Sequence, residues 1–155
     1  MIDPVTKTVY AACEPNEAFE IFTDRIDAWW PKDTHSIVAS RGDGEPKSIV
    51  FEPQTGGRIY ELCADGTIHD WGHVVEADKG KKLMFSWYVG RAPHEASEVE
   101  IRFADAGDKG TRVDLEHRNW DRLGAEAASI RDRYNGGWDF VLGECYVSAT
   151  VRETA

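Results

Sequence analysis

Val99-Glu100-Ile101-Arg102-Phe103 and Arg112-Val113-Asp114-Leu115-Glu116-His117 alternate apolar with polar side chains at a period of two, the pattern of strands that bury one face. Further along, Trp138, Leu142, Cys145 and Ala149 recur at i, i+4, i+7 and i+11, with Val141 beside them, which is the apolar stripe of a helix. A sheet and a helix that each carry one apolar face are both satisfied when the sheet curls around the helix. The pattern therefore predicts an α+β fold in which a curved antiparallel sheet grips a long C-terminal helix. Such a grip leaves a pocket between its two parts, and that pocket is the first place to look for function.

The rest of the chain supplies the parts. Val5 to Ala11 alternates weakly and is rich in β-branched residues, as a first strand would be. Pro15 suits a first helical turn, and Ala18, Phe19 and Phe22 form a stripe through residues 16–23. Ile26 to Trp30 predicts a further helical turn that Pro31 stops. Lys32 to Lys47 is polar, contains Gly42, Gly44 and Pro46, and reads as a loop or lid. Then Gly56-Gly57, Asp65-Gly66, Lys79-Gly80 and residues 105–110 punctuate short apolar runs at hairpin spacing. The strands so delimited are Ser48 to Glu52, Arg58 to Cys63, Thr67 to Glu76, Lys82 to Val89, Glu98 to Ala104 and Thr111 to Trp120. With the first strand they make seven. The final helix covers Ala125 to Arg152, where Gly136-Gly137 signals a kink, a bend or a close approach to the sheet. No repeat or linker divides residues 1–155, so one domain is expected.

Composition narrows the partners. The net charge of −10 and the lack of any dense Lys or Arg run disfavour nucleic acid and anionic membranes. The N-terminus has no basic and apolar leader, and no stretch approaches the roughly 20 apolar residues that span a bilayer, so a soluble, cytoplasmic protein is expected. Cys13, Cys63 and Cys145 are widely spaced without a Cys-x-x-Cys, and read as buried small hydrophobes rather than disulfide or zinc ligands.

Several short stretches, taken in order, carry a resemblance. They are Phe22-Thr23-Asp24, Trp29-Trp30-Pro31, Gly56-Gly57-Arg58, Asp65-Gly66, Gly72-His73-Val74-Val75-Glu76, Leu83-Met84-Phe85-Ser86-Trp87, Ser97-Glu98-Val99, the strand from Gly110 to His117, and Gly137-Trp138 before Leu142. In these the chain resembles the START-related (SRPBCC) superfamily, in the branch similar to the activator of the heat-shock protein 90 ATPase. The resemblance implies the helix-grip (Bet v 1/START-like) fold: a seven-stranded antiparallel sheet wrapped around a long C-terminal helix, two short helices after strand one, and often a deep apolar cavity. It also implies a small hydrophobic ligand and self-association as a homodimer. Where that branch usually has a proline pair, this chain has Lys79-Gly80-Lys81-Lys82. Nothing here corresponds to the activator's chaperone-engaging domain, so chaperone activation is not expected.

Candidate site residues follow from residue chemistry. On a regular strand His69, Trp71, His73 and Val75 share a face, and His73 is placed at a cavity rim. The two imidazoles would lie about 13 Å apart, too far to chelate one ion, so no metal is expected. His117 alternates with Val113 and Leu115 and points inward, as a hydrogen-bonded core histidine or as an acid or base. Of the six tryptophans, Trp71, Trp87 and Trp138 are assigned to the cavity wall, and Trp30 and Trp120 to its entrance. Arg131 and Arg133 stand two apart on a helix, a spacing that turns them away from each other. No Gly-x-Ser-x-Gly, His-Glu-x-x-His, P-loop or dinucleotide motif is present, no cofactor is expected, and no residue is assigned as catalytic. Three functions fit: binding of a small hydrophobic or amphipathic molecule without chemistry, a small-molecule enzyme using His117 in the same cavity, or a stress-related or regulatory interaction module.

Overall fold

Seven strands form one antiparallel sheet in the computed structural model, which describes residues 2–154 and the side chains of residues 2–151. They are β1 (Val5–Ala11), β2 (Ser48–Phe51), β3 (Arg58–Leu62), β4 (Ile68–Asp78), β5 (Lys82–Trp87), β6 (Ser97–Asp105) and β7 (Thr111–Arg118), in the order β1-β7-β6-β5-β4-β3-β2. From β2 to β7 every connection joins neighbours, as the turn signals require. β1 and β2 lie on opposite edges, so the chain must cross the sheet between them. That crossing carries α1 (Pro15–Phe22), α2 (Ile26–Trp29) and α3 (Ile37–Ser40).

The third of these helices lies within the stretch expected to be loop. Its start is made by Ser36, whose Oγ accepts from the Ala39 N–H, and by the buried Glu61 of β3, whose carboxylate accepts from the Ile37 and Val38 N–H groups. A side chain distant in sequence thus stabilises what local composition does not.

The C-terminal segment runs as a 3₁₀ stretch (Trp120–Glu126), then α4 (Ala127–Phe140), a π-helical turn (Val141–Tyr146) and α5 (Val147–Thr154). Gly136-Gly137 lies inside regular α4, and the departure from α geometry comes after it. The wider π turn changes the phase of the apolar stripe, so Tyr146 is fully buried while Cys145 is only half-buried. Tyr146 packs its ring 5.5 Å from Phe22 of α1 and donates its hydroxyl to the Ala18 carbonyl at 2.7 Å. Complete burial of Phe22 and Phe85 contributes roughly 1.5–3 kcal/mol each to this junction of helices and sheet.

Alternation holds in β6 and β7, whose Val99, Ile101, Phe103, Val113, Leu115 and His117 all face the core. It fails in β4. The register passes from Ile59 opposite Gly72 to Tyr60 opposite Asp70, leaving Trp71 as the extra residue of a bulge. Gly72 permits the close approach of β5 there, since a Cβ would run into the Ser86 carbonyl oxygen. In consequence Trp71 and Val74 turn inward while His73 and Val75 turn outward, which overturns the single face expected for Trp71 and His73.

Candidate ligand cavity

A cavity of about 240 Å³ lies between the sheet, the α3 segment and the C-terminal helix. Trp71 and Trp87 reach it from β4 and β5, Trp30 from the residue after α2, Ile37 from α3, and Trp138 and Val141 from the C-terminal helix. The Trp30 ring is central, with centroid distances of 5.2 Å to Trp71, 6.0 Å to Trp87 and 6.4 Å to Trp138. Trp71 and Trp87 lie 5.5 Å apart, and Trp87 and Trp138 6.2 Å. These are tilted and edge-on contacts of the kind aromatic quadrupoles favour.

Every indole N–H of this cage is spent on the protein. Trp30 Nε1 donates to the His35 carbonyl at 2.7 Å and Trp71 Nε1 to Glu61 Oε1 at 2.7 Å. Trp87 Nε1 donates to the Tyr134 hydroxyl at 3.1 Å and Trp138 Nε1 to His117 Nδ1 at 3.0 Å. With their donors committed elsewhere, the four rings offer the cavity aromatic carbon. Such a wall is complementary to apolar and aromatic surface.

Polar groups in the lining are Ser36 and Ser40, whose hydroxyls donate to the Lys32 and Ile37 carbonyls, and Thr34, His35 and Tyr134. Tyr134 accepts from Trp87, and its own hydroxyl hydrogen has no acceptor among the described residues. Burial pushes this hydroxyl upward in pKa, against the Trp87 hydrogen bond and the nearby Arg91 and Arg133, so it is a neutral donor. His35 Nδ1 lies 2.7 Å from Thr34 Oγ1, its ring lies 5.5 Å from that of the exposed Phe140, and its other nitrogen has no hydrogen-bond partner among the described residues. Partial burial lowers its pKa despite Asp33, which keeps the imidazole neutral near pH 7.

The residues singled out from sequence separate into those that line the cavity and those that do not. Trp30, Trp71, Trp87 and Trp138 come together, although Trp30 stands at the centre of the cage rather than at an entrance. Trp120 and His117 lie behind the wall. Asn119, at φ 66°, turns the chain sharply at the end of β7, and Trp120 folds back with its Nε1 on the His117 carbonyl at 2.9 Å and its ring 4.0 Å from the imidazole. His73 lies on the outer face, its Nδ1 3.0 Å from Ser86 Oγ. The bulge at Trp71 is the cause.

His117 is locked. A tryptophan N–H can only donate, so Nδ1 accepts from Trp138, the proton sits on Nε2, and Nε2 donates to Ser97 Oγ at 2.6 Å. Ser97 in turn donates to the Trp87 carbonyl at 3.1 Å. The relay ties β5, β6, β7 and α4 together around the back of the cage. Burial pulls the imidazole down to about 3, so it is neutral near pH 7, with both ring nitrogens held by protein partners. Three residues went unnoticed in the sequence: Tyr134, His35 and Glu61. Only Glu61 left a signal, as a carboxylate two residues from Ile59 on the inward face of a strand.

No helix among the described residues is long and apolar enough to cross a membrane, and no three His, Cys, Asp or Glu side chains among them converge as metal ligands. Among solved structures, the chain is similar to the anthrahydroquino-gama-pyrone synthase Txn09, at 36% identity over 86% of this chain and 88% of that one, with a TM-score of 0.60. It shares its fold with the self-sacrificing resistance protein CalC from Micromonospora echinospora, at 24% identity over 97% and 96% of the two chains and a TM-score of 0.66. A protein from Rhodobacter sphaeroides shares the fold at 18% identity over 98% and 92%, with a TM-score of 0.69. No curated protein matches the sequence. Residues 12–144 match the family described as Activator of Hsp90 ATPase homolog 1-like protein, and with the helix-grip architecture this makes the chain a member of that family within the START-related (SRPBCC) superfamily.

Proposed function

We propose that this protein binds a small, flat, largely apolar molecule in the tryptophan cage. The observation that carries the reading is the orientation of the four indoles, which keep their rings toward the cavity and their N–H groups on protein acceptors. At about 240 Å³ the space falls short of the roughly 300–1,000 Å³ of drug-sized pockets, which favours a molecule of one or two fused rings. Titration with naphthamide, followed by quenching of tryptophan fluorescence, tests this directly. Trp87→Ala should weaken binding at least about tenfold, the equivalent of ~1.4 kcal/mol, whereas Tyr10→Ala on the remote edge strand should not. Unchanged affinity in a folded Trp87→Ala protein would overturn the reading.

The 36% identity to a synthase of a fused aromatic pyrone supports a second reading, in which the same cage holds a substrate. Tyr134 and His35 would then be the groups able to exchange a proton with it, in place of the sequestered His117. Consumption of an aromatic phenol by the protein, absent under the first reading, separates the two.

A further inference from the structure

We propose that the mouth of the cavity is a subsite for the anionic group of its ligand, formed by Arg91, Arg133 and the Tyr134 hydroxyl, so that the molecule held is a small aromatic acid with its carboxylate outward. This rests on the cage being a ligand site and adds the chemical class of the ligand.

The geometry comes from two elements that converge. Thr34, His35, Val89, Tyr134 and Gly137 border both the cavity and the groove outside it, and that groove is completed by Ile130, Arg91 and Arg133. Arg133 is carried by α4 and Arg91 by the loop between β5 and β6. The spacing of Arg131 and Arg133 does separate them: Arg131 holds the carbonyls of Asp3 and Pro4 at 3.1 Å each, and only Arg133 borders the groove.

Both cations have capacity left in a chain of net charge −10, where carboxylates outnumber guanidinium and ammonium groups. Arg133 makes no ion pair with any described residue. Arg91 has Glu95 at 3.8 Å, but the other oxygen of that carboxylate accepts the Ala92 N–H at 3.2 Å. Both guanidiniums lie near enough to Tyr134 to favour charge on its oxygen, although burial outweighs them. A carboxylate placed here would take the unspent Tyr134 hydrogen and two forked cations, while its ring system enters the cage. Gly137 leaves open space where a side chain would narrow the passage.

Calorimetric titration with naphthoate and with its neutral isostere naphthamide tests the proposal. The wild-type protein should prefer naphthoate by roughly fivefold or more, with a preference that shrinks as salt is raised. Arg91→Ala/Arg133→Ala should abolish the preference, with naphthoate losing more affinity than naphthamide. Both arginines lie at the surface, so the fold is retained, and Arg91→Lys/Arg133→Lys should restore part of the preference through charge alone. Equal affinities in the wild type, or a preference that survives the double alanine variant, would overturn the anionic subsite while leaving the cage reading intact. Failure of naphthamide itself to bind would remove the cage reading and this one with it.

Discussion

Both nitrogens of His117 face partners of fixed polarity, and this makes one side chain a reporter of the whole core. A proton added at Nδ1 would confront the Trp138 N–H and leave a charge buried away from solvent, so burial holds the folded pKa at about 3. In the unfolded chain the same group titrates near 6.5. Below about pH 6.5 the unfolded state therefore binds a proton that the folded state refuses until about pH 3. Stability is fully present above that window and falls as pH drops through it, by up to about 1.4 kcal/mol per unit. His117→Gln should be less stable than wild type at pH 7 by about 1–3 kcal/mol, since glutamine cannot reach both Trp138 and Ser97. It should also lose much of the decline in urea midpoint between pH 7 and 5. Parallel declines in the two proteins would show that another group sets the acid sensitivity.

The segment that closes the cavity depends on Glu61. Its carboxylate collects three donors, the N–H groups of Ile37 and Val38 and the Trp71 indole, and so joins α3 to β3 and to the cage wall. Glu61→Gln would bring an NH₂ group against one of those donors, at a cost of about 2 kcal/mol concentrated in α3. Amide exchange at Ile37 and Val38 should then accelerate roughly 30-fold, with little change in β6 and β7. Uniform acceleration would mean that the carboxylate supports the fold as a whole and not this one element. The same residue shows where reading from sequence stops. The seven strands and both early helices were legible because alternation, Asp65-Gly66 and Pro31 act locally. α3 was not, because its start is satisfied by a carboxylate from another strand. His73 was placed on the cavity side because a bulge reverses alternation without changing composition, and Cys145 displaced Tyr146 in the expected stripe because a π turn shifts phase without a sequence mark. The cage tryptophans were legible as residue types, whereas Tyr134 and His35 owe their place at the mouth to tertiary contacts alone.

Across the molecule charge and apolarity are sorted by face. The outer side of the sheet carries ion pairs centred on Arg118, which reaches Glu98, Glu100 and Glu116, while the inner side is mainly apolar and holds its few polar groups, Glu61, Ser97 and His117 among them, in hydrogen bonds to the protein. The cavity is therefore continuous with the core, and occupying it should stabilise the entire fold by linkage. With naphthamide at 100 times its dissociation constant the gain is about 2.7 kcal/mol, which for a chain of this length raises Tm by roughly 5–11 °C. Val141 lines the cavity from the π turn, so Val141→Phe would place a ring in the space a ligand needs. A fixed occupant exchanges a void for packing contacts at the expense of some strain, and the two nearly offset. The free Val141→Phe protein should melt within a few degrees of wild type and show no rise with naphthamide. A full ligand-induced rise in that variant would place the binding site elsewhere in the molecule.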